Sequence, residues 1–191
     1  MGIYLSVITP QEAVGDKLDR RWTLCLLLLL ERARGAQSFW AAYIDALPTS
    51  YSDPLWWGQE ALSLLEGTRL EAGVEHYSNE VKQLGLWRQQ LCELQAELGG
   101  PSTLQDGAAG WAMTDEALIW AKSTVWSRAF NIPYLGAPGK AGIALIPFAD
   151  MLDHSHDRHM AWHTGSSGRD PFTFITHTPI SKARPDLEFF N

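Results

Sequence analysis

Apolar residues recur at three- and four-residue spacing through the first two thirds of the chain, which is the period of an amphipathic helix. The pattern predicts a first helix over residues 11–34, with Pro10 at a natural start and Gly35 as a stop. Shorter helices are predicted within residues 36–48 and 59–68, where the apolar spacing continues between turn residues. The front of the chain is therefore predicted to be helical.

A longer amphipathic stretch follows in residues 70–98. Its apolar members predict a stripe that packs in a core: Leu70, Val74, Tyr77, Val81, Leu84, Leu91 and Leu98. The next helix is predicted over residues 115–130, because Thr114 can cap its first turn and Pro133 cannot continue it.

After Pro133 the pattern changes from a helical period to a strand period. Residues 142–148 form a short apolar run of β type, and residues 159–164 and 172–178 alternate in strand fashion around a turn-rich segment. A last strand is predicted at 187–190. Helices followed by strands in this order indicate an α+β fold.

Composition and charge narrow the class of protein. A chain of 191 residues fits one domain, and a net charge of −7 without a run of basic residues argues against nucleic-acid binding. Cys25 and Cys92 are too few for a disulfide framework or a structural zinc site. The apolar run at 24–30 is too short to cross a membrane, and the chain begins without a signal-peptide pattern. We expect an intracellular monomer that binds neither membranes nor nucleic acid.

The segment "LIPFADMLDHSHD" (residues 145–157) joins an apolar run to three aspartates and two histidines. It is compatible with a cofactor-pocket wall, a metal site, or a solvent-facing loop after a buried strand. The best-spaced metal pair is His159 with His163, but in a strand these residues lie about 13 Å apart. His154 and His156 keep the metal interpretation open. The glycine motifs of dinucleotide and phosphate sites and of the hydrolase nucleophile elbow are absent.

Four segments, in order along the chain, resemble SET-domain protein methyltransferases of the branch typified by the Rubisco large-subunit lysine methyltransferase. They are "LLLLLERARGAQSFWAAYIDALP" (26–48), "LLEGT" (64–68), "STVWSRAF" (123–130) and "IPFADMLDHS" (146–155). The resemblance implies a partial SET domain over residues 1–191, with a large helical subdomain inserted at 51–130 and short β-strands in 131–191.

The same resemblance implies a chemistry: transfer of a methyl group from S-adenosylmethionine to a lysine side chain of a protein, without a metal. By position it assigns two groups of residues: Arg128, Asp150, Asp153 and His154 to the cofactor site, and Ser127, Phe130 and Trp162 to the substrate lysine channel. An apolar channel would desolvate the amine and lower its pKa, so that the nitrogen is received uncharged.

The chain departs from the family pattern at three places. Asp153 stands where the family has asparagine, the chain begins downstream of the family's glycine-containing first strands, and it ends at Asn191, before the expected catalytic tyrosine. No catalytic residue is therefore assigned, and we expect the isolated polypeptide to have little or no activity. The alternative is a non-catalytic module derived from a SET-domain protein, in which residues 51–130 bind a partner protein.

Overall fold

The computed structural model describes residues 5–6, 20–73, 75–76, 79–80, 82–86, 89, 114–132, 142–152, 160–164 and 172–176. The chain divides into two compact units. We call residues 1–24 with 128–191 the strand unit, and residues 25–127 the helical unit.

The helical segments follow the apolar periodicity closely. In the described part of the chain outside residues 70–98, the α-helices are α1 (Arg20–Ala33), α2 (Ala41–Ala46), α3 (Gln59–Ser63) and α4 (Asp115–Arg128), and short 3-10 helices occupy Gly35–Gln37 and Pro54–Trp56. Gly35 and Gly67 both have positive φ angles, of 53° and 71°, which glycine adopts without steric cost. The helix predicted at 11–34 is confirmed over its described part, whereas those predicted at 36–48 and 59–68 are shorter, at Ala41–Ala46 and Gln59–Ser63.

The core includes one side of α1 and the middle of α4, which is buried on all sides from Trp120 to Val125. The side chains that are nearly inaccessible to solvent include Leu24, Cys25, Leu28 and Leu29 from α1, and Leu118, Ala121 and Val125 from α4. Burial of a leucine-sized side chain contributes about 1.5–3 kcal/mol relative to exposure, so these helices are held mainly by apolar packing. Among the described residues, no helix has both the length and the apolarity to cross a membrane.

After Leu70, the amphipathic stretch is helical wherever it is described, at residues 71–73, 75–76, 79–80, 82–86 and 89. Leu84 is buried, as predicted, whereas Leu70 is 63% exposed. The prediction for Leu70 is wrong because this residue lies in the turn before the helix begins and is not on its stripe. The other members of the predicted stripe lie outside the described side chains. Glu80 in this stretch pairs with buried Lys122 of α4 at 2.6 Å.

Helix α4 begins as predicted and ends earlier than predicted. The Thr114 hydroxyl accepts a hydrogen bond from the Ala117 N–H at 3.1 Å, which satisfies one donor of the first turn. The helix stops at Arg128, and Phe130–Ile132 form a strand instead of a last helical turn. Pro133 disfavours a helical backbone at Ile132, the residue before it. Antiparallel pairing with residues 142–144 then holds Phe130–Ile132 extended.

The described residues of the strand unit form two small antiparallel sheets. Strands β1 (Leu5–Ser6), β2 (Phe130–Ile132) and β3 (Gly142–Leu145) form the first, in the order β1-β3-β2, and β4 (Met160–Thr164) pairs with β5 (Phe172–Thr176) in the second. All four residues of β3 are buried. Strands β3, β4 and β5 lie where the sequence predicts strands, and β1 is too short to give a sequence signal. The α+β fold is confirmed, while the strand predicted at 187–190 lies outside the described residues.

Candidate functional site

Arg128, the last residue of α4, is joined to the segment that follows β3. Its Nη1 donates a hydrogen bond to the Asp150 carbonyl oxygen at 2.8 Å and lies 3.5 Å from Asp150 Oδ2. The same nitrogen approaches Met151 Sδ at 3.8 Å. The Arg128 side chain is 19% exposed and the Asp150 side chain is fully buried. A buried carboxylate is therefore compensated by a largely buried guanidinium, as burial of a charge requires.

The backbone that carries Asp150 turns sharply after β3. The N–H groups of Ala149 and Asp150 donate to the Ile146 carbonyl at 3.1 and 3.3 Å, and residues Ala149–Met151 form a 3-10 helix. Phe148 enters this helix with φ 76° and ψ −39°, and its side chain is 81% exposed. A non-glycine residue in such a conformation costs about 1–3 kcal/mol and is found disproportionately at ligand sites. We call Arg128 together with residues 148–151 the arginine corner.

A buried donor of the arginine corner has no hydrogen-bond acceptor among the described residues. Arg128 Nε is buried and donates no hydrogen bond to any of the described residues. An unsatisfied buried donor costs about 1–3 kcal/mol, so a partner for it is expected. Guanidinium groups bind carboxylates and phosphates through paired N–H donors, which indicates an anionic group of a ligand as that partner.

Phe130 and Trp162 form an aromatic pair within the strand unit. Phe130 lies opposite Ala144 in the β2–β3 register and packs against a buried cluster of Ile132, Ala144, Ile146 and Ala149. Its ring meets that of Trp162, on β4, edge to face, with 6.0 Å between the ring centroids and an interplanar angle of 79°. Trp162 is 41% exposed. The pair therefore presents a partly exposed apolar surface on a rigid base.

Ser127 uses its hydroxyl within its own helix. The Ser127 Oγ donates to the Ser123 carbonyl at 2.6 Å and lies 3.3 Å from the Thr124 carbonyl. The two remaining residues that the sequence assigns to a site, Asp153 and His154, lie outside the described residues. The structure thus brings Arg128 to Asp150, and Phe130 to Trp162, as two separate contacts.

The described part of the chain contains no group of three or more His, Cys, Asp or Glu side chains that could hold a metal ion. His163 lies on β4 and is exposed. His154, His156 and His159 lie outside the described residues, so the metal interpretation of the histidine-rich segment stays a prediction.

Two residues of the arginine corner, Phe148 and Met151, were not assigned to a site from the sequence. Positive φ at a phenylalanine has no sequence signature, since the backbone there is fixed by the β3 turn and not by the residue itself. Met151 reads as an ordinary apolar residue until the fold places its sulfur beside Arg128.

No protein-family model matches the chain. Curated relatives nevertheless match most of it. The ribosomal lysine N-methyltransferase set10 of Schizosaccharomyces pombe is 24% identical over 160 residues, which cover 84% of this chain and 27% of the relative. The actin-histidine N-methyltransferase of Rhinolophus ferrumequinum is 32% identical over 135 residues, which cover 70% of this chain and 21% of the relative. The chain spans about a quarter of the length of these relatives.

Solved structures of SET domains share the fold. A crystal structure of the SET domain of LSMT bound to lysine and AdoHcy aligns with a TM-score of 0.61 at 20% identity, covering 91% of this chain and 38% of that one. A structure of Rubisco LSMT bound to AdoMet aligns with a TM-score of 0.54 at 22% identity, covering 80% of this chain and 33% of that one. From the curated sequence matches and the shared fold, the chain belongs to the SET-domain proteins of the Rubisco large-subunit lysine methyltransferase-like branch.

Proposed function

We propose that this chain belongs to an S-adenosylmethionine-dependent protein methyltransferase, with lysine as the acceptor. The observation that carries the proposal is the arginine corner, where Arg128 compensates buried Asp150 and keeps Nε available. The relatives named above are protein methyltransferases, and the aligned SET-domain structures hold AdoHcy with lysine and AdoMet.

The residues of the arginine corner fit the charged end of S-adenosylmethionine. Arg128 would bind the cofactor carboxylate through Nε, while its Nη1 stays bound to the Asp150 carbonyl. The buried Asp150 carboxylate would keep the guanidinium oriented toward that position. When bound, the cofactor supplies a methyl group on a sulfonium, which an uncharged nitrogen can accept directly. Asp153 and His154 are proposed as further cofactor contacts.

Phe130 and Trp162 suit the apolar stem of a lysine. Their edge-to-face contact fixes the two rings at 6.0 Å, so the wall is formed before an acceptor enters. Apolar surroundings lower the pKa of an amine by disfavouring its charged form, and the uncharged nitrogen is the nucleophile. Ser127 is proposed at the border of the same channel, with its hydroxyl held by the Ser123 carbonyl.

The organisation around this site is proposed as well. Residues 51–130 would be the helical subdomain inserted in a SET domain, and residues 131–191 its stranded part. We further propose a monomer that acts on a protein inside the cell and binds neither nucleic acid nor membranes.

A transfer assay tests the proposed function. The protein, expressed at its full natural length, is incubated with methyl-tritiated S-adenosylmethionine and a lysate of source cells that lack its gene. Acid hydrolysis and amino-acid analysis then separate methyl-lysine from methyl-histidine. We expect label in methyl-lysine, and none with an Arg128→Ala variant. Label in methyl-histidine would keep the enzyme class and overturn the lysine acceptor, and no label in either would contradict the proposal.

A second candidate function is favoured by one observation. Among its described residues, the helical unit exposes three leucines, Leu64 at 77%, Leu70 at 63% and Leu86 at 55%. These side chains suit a partner-binding module without chemistry. In that case Leu64→Ser with Leu70→Ser would release a bound partner from the purified complex, while Arg128→Ala would leave both the complex and the cellular function intact.

A further inference from the structure

A segment of the helical unit, residues 48–57, lies along α4 and is fixed to it by side-chain hydrogen bonds. We call this segment the strap. Four contacts join it to the helix: Trp120 Nε1 to the Pro48 carbonyl at 2.8 Å, Tyr51 Oη with Thr124 Oγ1 at 2.8 Å, Ser123 Oγ to Asp53 Oδ2 at 2.5 Å, and Trp56 Nε1 to Ser123 Oγ at 2.9 Å. The contacts end at the turn that precedes Ser127 and Arg128.

Ser123 is the centre of the strap contacts. Its hydroxyl donates to Asp53 and accepts from Trp56, so its proton and an acceptor position are both used. The side chain is buried, at 3% exposure. The other oxygen of Asp53, Oδ1, accepts from the Leu55 N–H at 2.9 Å, which holds the carboxylate in place. Ser123 is thereby fixed from two directions by side chains of the strap.

The last two turns of α4 carry side-chain hydrogen bonds of a kind that weakens a helix. Thr124 Oγ1 donates to the Trp120 carbonyl at 2.8 Å and Ser127 Oγ donates to the Ser123 carbonyl at 2.6 Å. Side-chain bonds to the carbonyl four residues earlier bend helices and weaken them slightly. The final four carbonyls of a helix also have no intrahelical partner. Because Thr124 already gives its proton to Trp120, the Tyr51 hydroxyl is the donor in its contact with Thr124.

We propose that Asp53 and Ser123 are positioning residues, which hold the last turn of α4 so that Arg128 and Ser127 keep the orientation the site requires. Ser123 also begins the "STVWSRAF" segment, whose Ser127, Arg128 and Phe130 are assigned to the site while Ser123 itself is not. The consequence for cofactor binding rests on the proposed function. The predicted effect on hydrogen exchange in the last turn of α4 is independent of the proposed function.

Three variants of the protein at its full natural length separate positioning from general stability. Ser123→Ala removes both strap bonds of the hydroxyl, and Trp56→Phe removes only the indole donor. Thr114→Ala is the matched control, since it removes a cap at the opposite end of the same helix. Amide hydrogen exchange of residues 125–128 is measured together with the affinity for S-adenosylhomocysteine, well below the melting temperature of each variant.

We expect exchange of residues 125–128 to be about fivefold faster in Trp56→Phe, the factor associated with loss of one hydrogen bond, and faster still in Ser123→Ala, which loses two. S-adenosylhomocysteine binding should weaken in the same order. Thr114→Ala should change neither quantity, although it lowers the melting temperature. The positioning role would be overturned if residues 125–128 exchanged no faster in Ser123→Ala, or in Trp56→Phe, than in the Thr114→Ala control. Should the wild-type protein bind no S-adenosylhomocysteine, the proposed function fails while hydrogen exchange still decides the role of Ser123.

Discussion

The strap and the arginine corner are both polar regions, but they use their polar atoms in different ways. Where the strap meets α4, protein partners are present for the Ser123 hydroxyl, for both Asp53 carboxylate oxygens and for the indole N–H groups of Trp56 and Trp120. In the arginine corner, a buried Arg128 donor has no acceptor among the described residues. A strained and exposed Phe148 lies in the same segment.

The difference indicates what each region is for. A fully bonded polar network makes a fixed structure and offers nothing to a ligand. A buried donor without a partner, beside backbone strain, costs stability that a bound ligand can offset. We therefore assign the strap to positioning and the arginine corner to binding.

The largest expected effect tests whether the helical unit is a rigid support. Leu118 is completely buried, so Leu118→Ala should lower the free energy of unfolding by about 3 kcal/mol, through lost burial and a residual cavity. Leu64→Ala is the control, because Leu64 is 77% exposed and should contribute little. Chemical denaturation measures both. Similar small losses for the two variants would mean that α4 is not anchored by its buried apolar side chains.

A second prediction compares the two carboxylates directly. Asp150→Asn weakens a buried ion pair and should lower the free energy of unfolding by about 2 kcal/mol, whereas Asp53→Asn should lower it by about 1 kcal/mol. S-adenosylhomocysteine, at a concentration that saturates the wild-type protein, should raise the melting temperature of Asp53→Asn more than that of Asp150→Asn. Thermal unfolding with and without the ligand measures this. An equal rise in both variants would remove the distinction between the two regions.

The aromatic pair gives a smaller effect. A double-mutant cycle with Phe130→Leu and Trp162→Leu should show a coupling of about 1 kcal/mol, the usual contribution of an edge-to-face pair beyond its buried area. Denaturation of the four proteins provides the value. Strict additivity would show that the rings do not meet in solution, and the preformed wall would be lost.

The smallest effect has the opposite sign. Phe148→Gly should raise the free energy of unfolding by about 0.5 kcal/mol, because glycine tolerates φ 76° and the exposed ring buries little. Phe39→Gly is the matched control: Phe39 is 73% exposed but has no positive φ, so its variant should be less stable than wild type. Destabilisation by both substitutions would show that the turn at Phe148 is unstrained.

The sequence predicts the helices well and the site only in part. The helices α1 and α4 can be located from the sequence because apolar periodicity and end signals depend on nearby residues, such as Thr114 before α4 and Gly35 after α1. The end of α4 was missed because strand pairing of Phe130 overrides helical periodicity. The strap is invisible in the sequence, since Ser123 and Asp53 are 70 residues apart along the chain.

The site assignments divide in the same way. The pairing of Arg128 with Asp150, and of Phe130 with Trp162, joins residues that the resemblance had assigned to the cofactor and to the channel respectively. The path of the chain after β3 decides which Arg128 nitrogen donates to Asp150 and which has no acceptor among the described residues. No sequence motif encodes that path. Asp153 and His154 stay predictions from the resemblance.

The most direct test of the account is a calorimetric titration with S-adenosylhomocysteine of the protein at its full natural length, beside an Arg128→Lys variant. Lysine keeps the positive charge near Asp150 but lacks the Nε donor and the planar fork. We predict saturable binding of one ligand by the wild-type protein and binding about tenfold weaker by the variant, as expected for loss of a charge-assisted hydrogen bond. Equal affinities, or no binding by the wild-type protein, would contradict the assignment of the arginine corner to the cofactor.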